Sequence, residues 1–150
     1  RKIILIGLPM IEDVLITSLD IIETPGGSVM HAVKNTSVGF DGFGEAYFSN
    51  IDFGAIKAWK RHKLMTLNLV VPIGKVKFVM FDDRNDKKGT FQEITVSEDN
   101  YCRVTVPPMI WMGFIGQISN GSLIMNVANL QHDQNEVDKL NLNQIKYKWS

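Results

Sequence analysis

Residues 66–82 read TLNLVVPIGKVKFVMFD: two apolar runs, Thr66 to Pro72 and Lys75 to Asp82, parted by Ile73-Gly74. Short β-branched and aromatic runs bounded by Pro and Gly read as strands, and Pro72-Ile73-Gly74 between them reads as a hairpin. Working outward, the same signal recurs every ten residues or so: Ile3 to Gly7, Val14 to Thr17, Ser28 to Val33, Gly44 to Ile51, Ala55 to His62, Phe91 to Ser97, Tyr101 to Val106 and Ser122 to Asn129. Turn residues sit between them, at Pro25-Gly26-Gly27, Asp41-Gly42, Asn50-Ile51-Asp52, Glu98 to Asn100 and Asn120-Gly121. This spacing predicts an all-β sandwich or barrel. Asp83 to Gly89, with five charges among seven residues, reads as a solvated loop. Gln131 to Leu142 carries the only helical spacing, with Val137, Leu140 and Leu142 on one side, enough for one or two turns.

Composition narrows the function classes. The 150 residues fit one domain, 1–150, with Arg1 to Pro9 as a candidate N-terminal extension ahead of Met10. Sixteen basic and sixteen acidic side chains cancel, so no positive field draws a phosphate backbone and no nucleic-acid partner is expected. The longest apolar run, from Ile3 to Ile11, is about half of a bilayer span, and Glu12 and Asp13 follow it without a small-residue cleavage site. The expectation is a cytoplasmic protein with no membrane partner. Cys102 is alone and sits in an apolar run, which reads as a buried strand residue in a reducing compartment. His31, His62 and His132 are not spaced as a ligand set, and Gly42-Phe-Gly44 lacks the lysine and helix of a phosphate loop. No metal and no cofactor are expected.

Side-chain alternation along Ala55 to His62 puts Ala58, Lys60 and His62 on one strand face and Lys57, Trp59 and Arg61 on the other. Thr66, Asn68 and Val70 share a face of the next strand. So concentrated a basic run either lines the mouth of a cup or decorates its outside, and alternation alone leaves both readings open.

The order of motifs supplies what spacing does not. Gly54-Ala-Ile-Lys-Ala-Trp-Lys-Arg-His62, then Thr66-Leu-Asn68 and Gly74-Lys-Val-Lys-Phe-Val-Met-Phe-Asp-Asp-Arg84, resemble the dTDP-4-dehydrorhamnose 3,5-epimerase-related family of sugar-nucleotide cupins. Gly44-Glu-Ala-Tyr-Phe-Ser49 is similar to an early strand of that family, and Val106-Pro-Pro-Met-Ile-Trp-Met-Gly-Phe114 to its Ile-Pro-Pro-Gly-x-x-His-Gly-Phe turn. Asp133 to Glu136 and Ile145-Lys-Tyr-Lys-Trp149 also match, so the resemblance runs from about Gly26 to Trp149.

The resemblance implies a cupin-type jelly-roll β-barrel, a double-stranded β-helix, acting as a homodimer. Its substrate would be a nucleotide-linked 4-keto-6-deoxy sugar, epimerised or isomerised by proton abstraction next to the ketone during surface polysaccharide (O-antigen/LPS) biosynthesis. Such chemistry asks for a base, a cation or donor at the enolate oxygen, and an acid on the opposite ring face. The family's catalytic His aligns with Lys60, its Arg with Lys57 and its Tyr with Met125, while the carboxylate that orients the His falls near Leu142 or Asn143. The cupin metal pattern falls on Lys60, His62, Thr66 and Met112, which is no transition-metal set. Two readings follow. In one, His62, Lys60 and Tyr47 are catalytic, with Lys57, Arg61, Thr66, Asn68 and Trp111 binding substrate. In the other, the barrel binds a sugar nucleotide or serves a structural role without catalysing.

Overall fold

A computed structural model describes residues 10–85 and 88–150. Twelve strands are described: β1 Leu15–Ser18, β2 Ile21–Thr24, β3 Gly27–Met30, β4 Glu45–Ile51, β5 Ile56–His62, β6 Leu67–Ile73, β7 Lys75–Asp82, β8 Thr90–Ser97, β9 Cys102–Val106, β10 Trp111–Gly116, β11 Ser122–Ala128 and β12 Val137–Lys139. The expected strand Ile3 to Gly7 and the candidate extension 1–9 lie outside the described residues.

All-β architecture is as expected, arranged as two antiparallel five-stranded sheets and a separate β2–β3 hairpin. The first sheet runs β1-β9-β6-β11-β4 and the second β12-β5-β10-β7-β8. Between β4 and β12, every consecutive pair of strands except β7–β8 changes sheet, which is the jelly-roll pattern. The barrel is therefore two facing sheets rather than one continuous hydrogen-bonded ring. The main core lies between them, built from alternate residues such as Leu67, Leu69 and Val71 of β6 and Val76, Phe78 and Met80 of β7, with Cys102 buried among them.

That crossing pattern corrects one sequence reading. Pro72-Ile73-Gly74 is no hairpin: β6 and β7 belong to different sheets, and the turn is a corner of the sandwich. Gly74 has φ +99°, and a Cβ there would lie 2.2 Å from Ser122 Oγ, so the corner admits only glycine. The turn expected at Asn50-Ile51-Asp52 starts two residues later, because Asn50 and Ile51 still pair with β11. Pro25-Gly26 does join a hairpin, with Thr24 opposite Gly27. Gln131 to Leu142 is not helical; it holds a 3₁₀ turn at Gln134–Glu136, then β12, with a second 3₁₀ turn at Leu142–Gln144. Pairing with β5 overrides the helical spacing of Val137 and Leu140. Among the described residues, no helix is long and apolar enough to cross a membrane.

Both outer faces are covered in part. On the first sheet, Leu19, Val70 and Tyr101 pack with the β2–β3 hairpin. Arg103, 1% exposed, donates to the carbonyls of Ala32 and Val38 and to Asn68 Oδ1, pinning the chain between β3 and β4 to that face. On the second sheet, Trp59, Val79, Trp111 and Ile145 form an aromatic cluster closed by Tyr147 and Trp149.

A bulge in β5 sets the faces of the basic segment. Met112 pairs with Lys60 and Phe114 with Lys57, so Ala58 and Trp59 stand opposite Gly113 alone. The extra residue reverses the alternation: Lys57 joins Lys60 and His62 on the inner face, contrary to the expected split, while Trp59 and Arg61 point outward. Gly113 makes room for this, since a Cβ there would lie 2.5 Å from Ala58 Cβ and 3.0 Å from the Trp149 ring. Gly113→Ala is therefore expected to lower the unfolding free energy by about 1–3 kcal/mol, read from urea midpoints; an unchanged midpoint would show that the bulge does not need the glycine.

Candidate active site

A cavity of about 840 Å³ opens between the sheets at the end where β4 and β12 form their edges. Its floor is apolar: Leu67 and Leu69 of β6, Met112 and Phe114 of β10, and Ile124 of β11. Its polar groups come from opposite walls, with Tyr47 and Ser49 of β4 and Asn126 of β11 on one side, and Lys57, Lys60 and His62 of β5 on the other. Lys139, Asn141 and Gln144, together with His132 and Gln134, line the mouth. An apolar pocket of this size with a few convergent polar groups is the usual form of a small-molecule site. The methionine and leucines floor the cup without plugging it.

His62 is the best-supported side chain in it. Its Nδ1 meets Oε1 of Glu136, which is 5% exposed. The other carboxylate oxygen, Oε2, accepts from the backbone N–H groups of Leu64 (3.1 Å) and Met65 (3.2 Å). Burial pushes the Glu136 carboxyl up, but the hydrogen bonds from His62, Leu64 and Met65 and the charge of His62 outweigh it and hold the group below the usual glutamate value. An ionised Glu136 accepts only, so Nδ1 carries a proton, and in the neutral ring the lone pair is the one on Nε2. Among the described residues Nε2 has no hydrogen-bond partner. The result is a base with a fixed tautomer, oriented by a buried carboxylate.

Across the cup, Asn126 Nδ2 donates to the Tyr47 hydroxyl at 3.0 Å, while Asn126 Oδ1 accepts from the backbone N–H of Asn68 at 3.0 Å. Tyr47 thus receives one hydrogen bond and keeps its own proton for a group in the cup. On the β5 wall, Lys57 Nζ donates to the Asn50 carbonyl at 3.0 Å. Lys60 pairs across the sheet with Lys139. Burial, and then the ammonium groups of Lys139 and Lys57, hold its amine below the ordinary lysine range.

Four of the eight residues expected in the site are here: His62, Lys60, Tyr47 and Lys57. The other four are not. Arg61 points outward, paired with Asp138 at 2.7 Å and stacked 4.5 Å over the Trp111 ring. Trp111 is 5% exposed under the C-terminal segment, with Nε1 donating to Asp83, and has no free face for a sugar or base. Thr66 and Asn68 sit on the outer face of the first sheet; Asn68 binds Arg103, Thr105 and the Gly39 carbonyl. The shared face of these two was read correctly, but it is the wrong face.

The two alignments that removed an acid and a phenol also change. Met125 packs outward beside Leu19 and Val70, and the cup positions of β11 are Ile124 and Asn126. The carboxylate on His62 is Glu136 rather than a residue at 142 or 143; the Leu142 carbonyl instead accepts from Trp59 Nε1. Sequence reasoning missed Glu136, Asn126 and Lys139. Only Glu136 carried a signal, as part of the quoted stretch Asp133 to Glu136, and nothing local joins it to a histidine 74 positions away.

No family model matches the chain, and no curated protein does. Solved structures do. The crystal structure of a dTDP sugar isomerase from Desulfovibrio desulfuricans G20 is 33% identical, with TM-score 0.87 over 92% of this chain and 91% of that one. A sugar 3,4-ketoisomerase from Thermoanaerobacterium thermosaccharolyticum, solved in complex with TDP, is 15% identical with TM-score 0.72 over 90% of this chain and 93% of its own. A dTDP-4-dehydrorhamnose 3,5-epimerase from Elizabethkingia anophelis NUHP1 is 16% identical with TM-score 0.73 over 95% and 82%. The last two, at such identity, speak for the fold alone; it is the cupin jelly roll expected from the sequence.

The Glu136 contacts make an acid-stability prediction. Its folded pKa lies below the unfolded value, so the stability it contributes is present above about pH 4.3, the unperturbed glutamate value. That contribution is lost as pH falls from there through the lower folded value. Glu136→Gln is expected to flatten this acid limb, measured as urea midpoints across a pH series; identical acid limbs in the two proteins would contradict the assignment.

Proposed function

The chain belongs to the sugar-nucleotide epimerase-related cupin family, and from that premise we propose that it isomerises a nucleotide-linked 4-keto-6-deoxy sugar by moving the proton on a carbon next to the ketone. The observation that carries this reading is the His62–Glu136 pair aimed into an apolar-floored cup, with a phenol on the facing sheet.

A proton beside a ketone is weakly acidic, so its removal needs a placed base and a positive charge where the enolate oxygen develops. Nε2 of His62 takes the proton, and the imidazolium formed is stabilised by ionised Glu136. Lys60, on the same wall, supplies the positive charge at the ketone. Tyr47 stands on the opposite sheet, so a proton it returns reaches the opposite face of the ring and inverts the carbon. That placement favours epimerisation over return to the original face. Lys57 on the β5 wall and Lys139 at the mouth meet the diphosphate of the nucleotide. The apolar floor excludes water, which strengthens each of these electrostatic effects.

The resemblance supports a role in the assembly of surface polysaccharide and action as a homodimer, and the lone Cys102 supports a reducing compartment such as the cytoplasm. Phe43, Phe48 and Phe53, exposed along and beside edge strand β4, supply an apolar surface suited to the homodimer.

Incubation in D2O with a panel of TDP- and GDP-linked 4-keto sugars is expected to place deuterium on a ring carbon next to C4, read by mass spectrometry. His62→Ala should cut the rate by about 10²–10⁴-fold with the fold intact by circular dichroism. Nucleotide-sugar binding without exchange for every sugar would replace this reading with that of a binding protein.

A further inference from the structure

The segment Lys57 to Lys63 carries five basic side chains, and the structure disposes of them differently. Arg61 is paired with Asp138 and faces Asp83; Lys63 lies 3.7 Å from Asp138. His62 is held by Glu136, and Lys57 by the Asn50 carbonyl. Lys60 alone has neither hydrogen bond nor ion pair among the described residues, although it lines the cup two residues from the proposed base. Its inner-face neighbours across the sheet are Met112 on β10 and Lys139 on β12.

We propose that Lys60 is a nucleophile that forms an imine with the ketone of the substrate, so that the cation at the reacting centre is a covalent iminium rather than a free ammonium. This deepens the function proposed above and rests on its keto-sugar reading. An amine becomes nucleophilic near neutral pH when it is desolvated or set beside other cations, and Lys60, partly open to the cup, stands opposite Lys139 across the sheet. Burial acts first, then Lys139, then Lys57, and together they keep its pKa below the ordinary range. The remaining titratable groups facing the cup are His62 with Glu136 behind it on the same wall, Tyr47 from β4, and His132 at the mouth. β10 and β11 contribute no charged side chain, and among the described residues no carboxylate pairs with Lys60 to restore its proton.

The step balances without another reactant. The neutral amine adds to the carbonyl carbon, and the carbonyl oxygen leaves as water with two protons. In sum, R–NH₃⁺ and the ketone give R–NH⁺=C and one water. Nε2 of His62 then removes the proton from the neighbouring carbon; that C–H electron pair becomes a C=C bond, and the C=N pair settles on nitrogen as an enamine. Reprotonation at carbon regenerates the iminium, and water hydrolyses it to the ketone and the free amine. An iminium withdraws electrons far more strongly than a carbonyl, so the same base suffices for a weaker acid.

The experiment is reductive trapping of the full chain with TDP-4-keto-6-deoxyglucose and cyanoborohydride, followed by peptide mapping. A secondary-amine adduct on Lys60 is expected, lost in Lys60→Arg, whose fold is checked by its thermal melt. Lys139→Gln removes a neighbouring cation, so adduct formation should shift to higher pH; an unshifted profile would refute the role given to Lys139. If the wild-type chain exchanges solvent deuterium into the sugar but yields no adduct, or yields one on another lysine, the imine is overturned and the isomerase reading stands. If neither exchange nor adduct occurs with any keto sugar, both fall.

Discussion

One buried carboxylate holds the working end of this molecule together. Glu136 reaches the end of β5 through His62, and the connection from β5 to β6 through the N–H groups of Leu64 and Met65 and through its own carbonyl, which accepts from Lys63 N–H at 2.8 Å. Those contacts fix the chain between β11 and β12 against the second sheet, and with it Lys139 and the mouth of the cup. A group this buried and this fully satisfied stays ionised, and an ionised Glu136 decides which imidazole nitrogen is free. The orientation of the base is thus a consequence of how the chain is tied down.

The second constraint is steric. Seven residues of β5 divide their work between the cup and a dry aromatic face, and strict alternation would have sent Lys57 to the dry side. The bulge opposite Gly113 prevents this, so Trp59 and Arg61 cover the outside while three cationic or titratable groups share the inside. Because the two walls belong to different sheets, His62 and Tyr47 face the cup from opposite sides, and under the proposed function they would reach a ring held there from opposite faces. Stereochemistry on this view follows from the sandwich itself.

Much of the fold was legible because strand patterning is local. Ten of the apolar runs were read as strands, and the nine that lie within the described residues overlap observed ones. The misreadings arose where local signals are shared by different structures. Pro72-Ile73-Gly74 has the same chemistry in a hairpin and at a sandwich corner, and only the Ser122 contact on a distant strand distinguishes them. Trp111 to Gly116 escaped notice as β10 because it follows two prolines and contains two glycines, one required by the bulge. Val137 and Leu140 have helical spacing, yet their segment pairs with β5. The site was half legible for the same reason. A period of two cannot reveal a bulge, which moved Lys57 inward, and it cannot tell inner from outer, which misplaced Thr66, Asn68 and Trp111. The resemblance identified the family but aligned the phenol to an outward residue, Met125, one position from the cup.

The central claim is spatial: the sugar sits between the sheets with its acidic carbon against His62. The most direct measurement is a crystal structure of the chain soaked with TDP-4-keto-6-deoxyglucose. The account predicts the ring over Leu69 and Met112, with the carbon next to the ketone in contact with Nε2 and the diphosphate toward Lys57 and Lys139. A sugar bound on the outer face of either sheet, or a cup ring turned with that carbon away from His62, would contradict it.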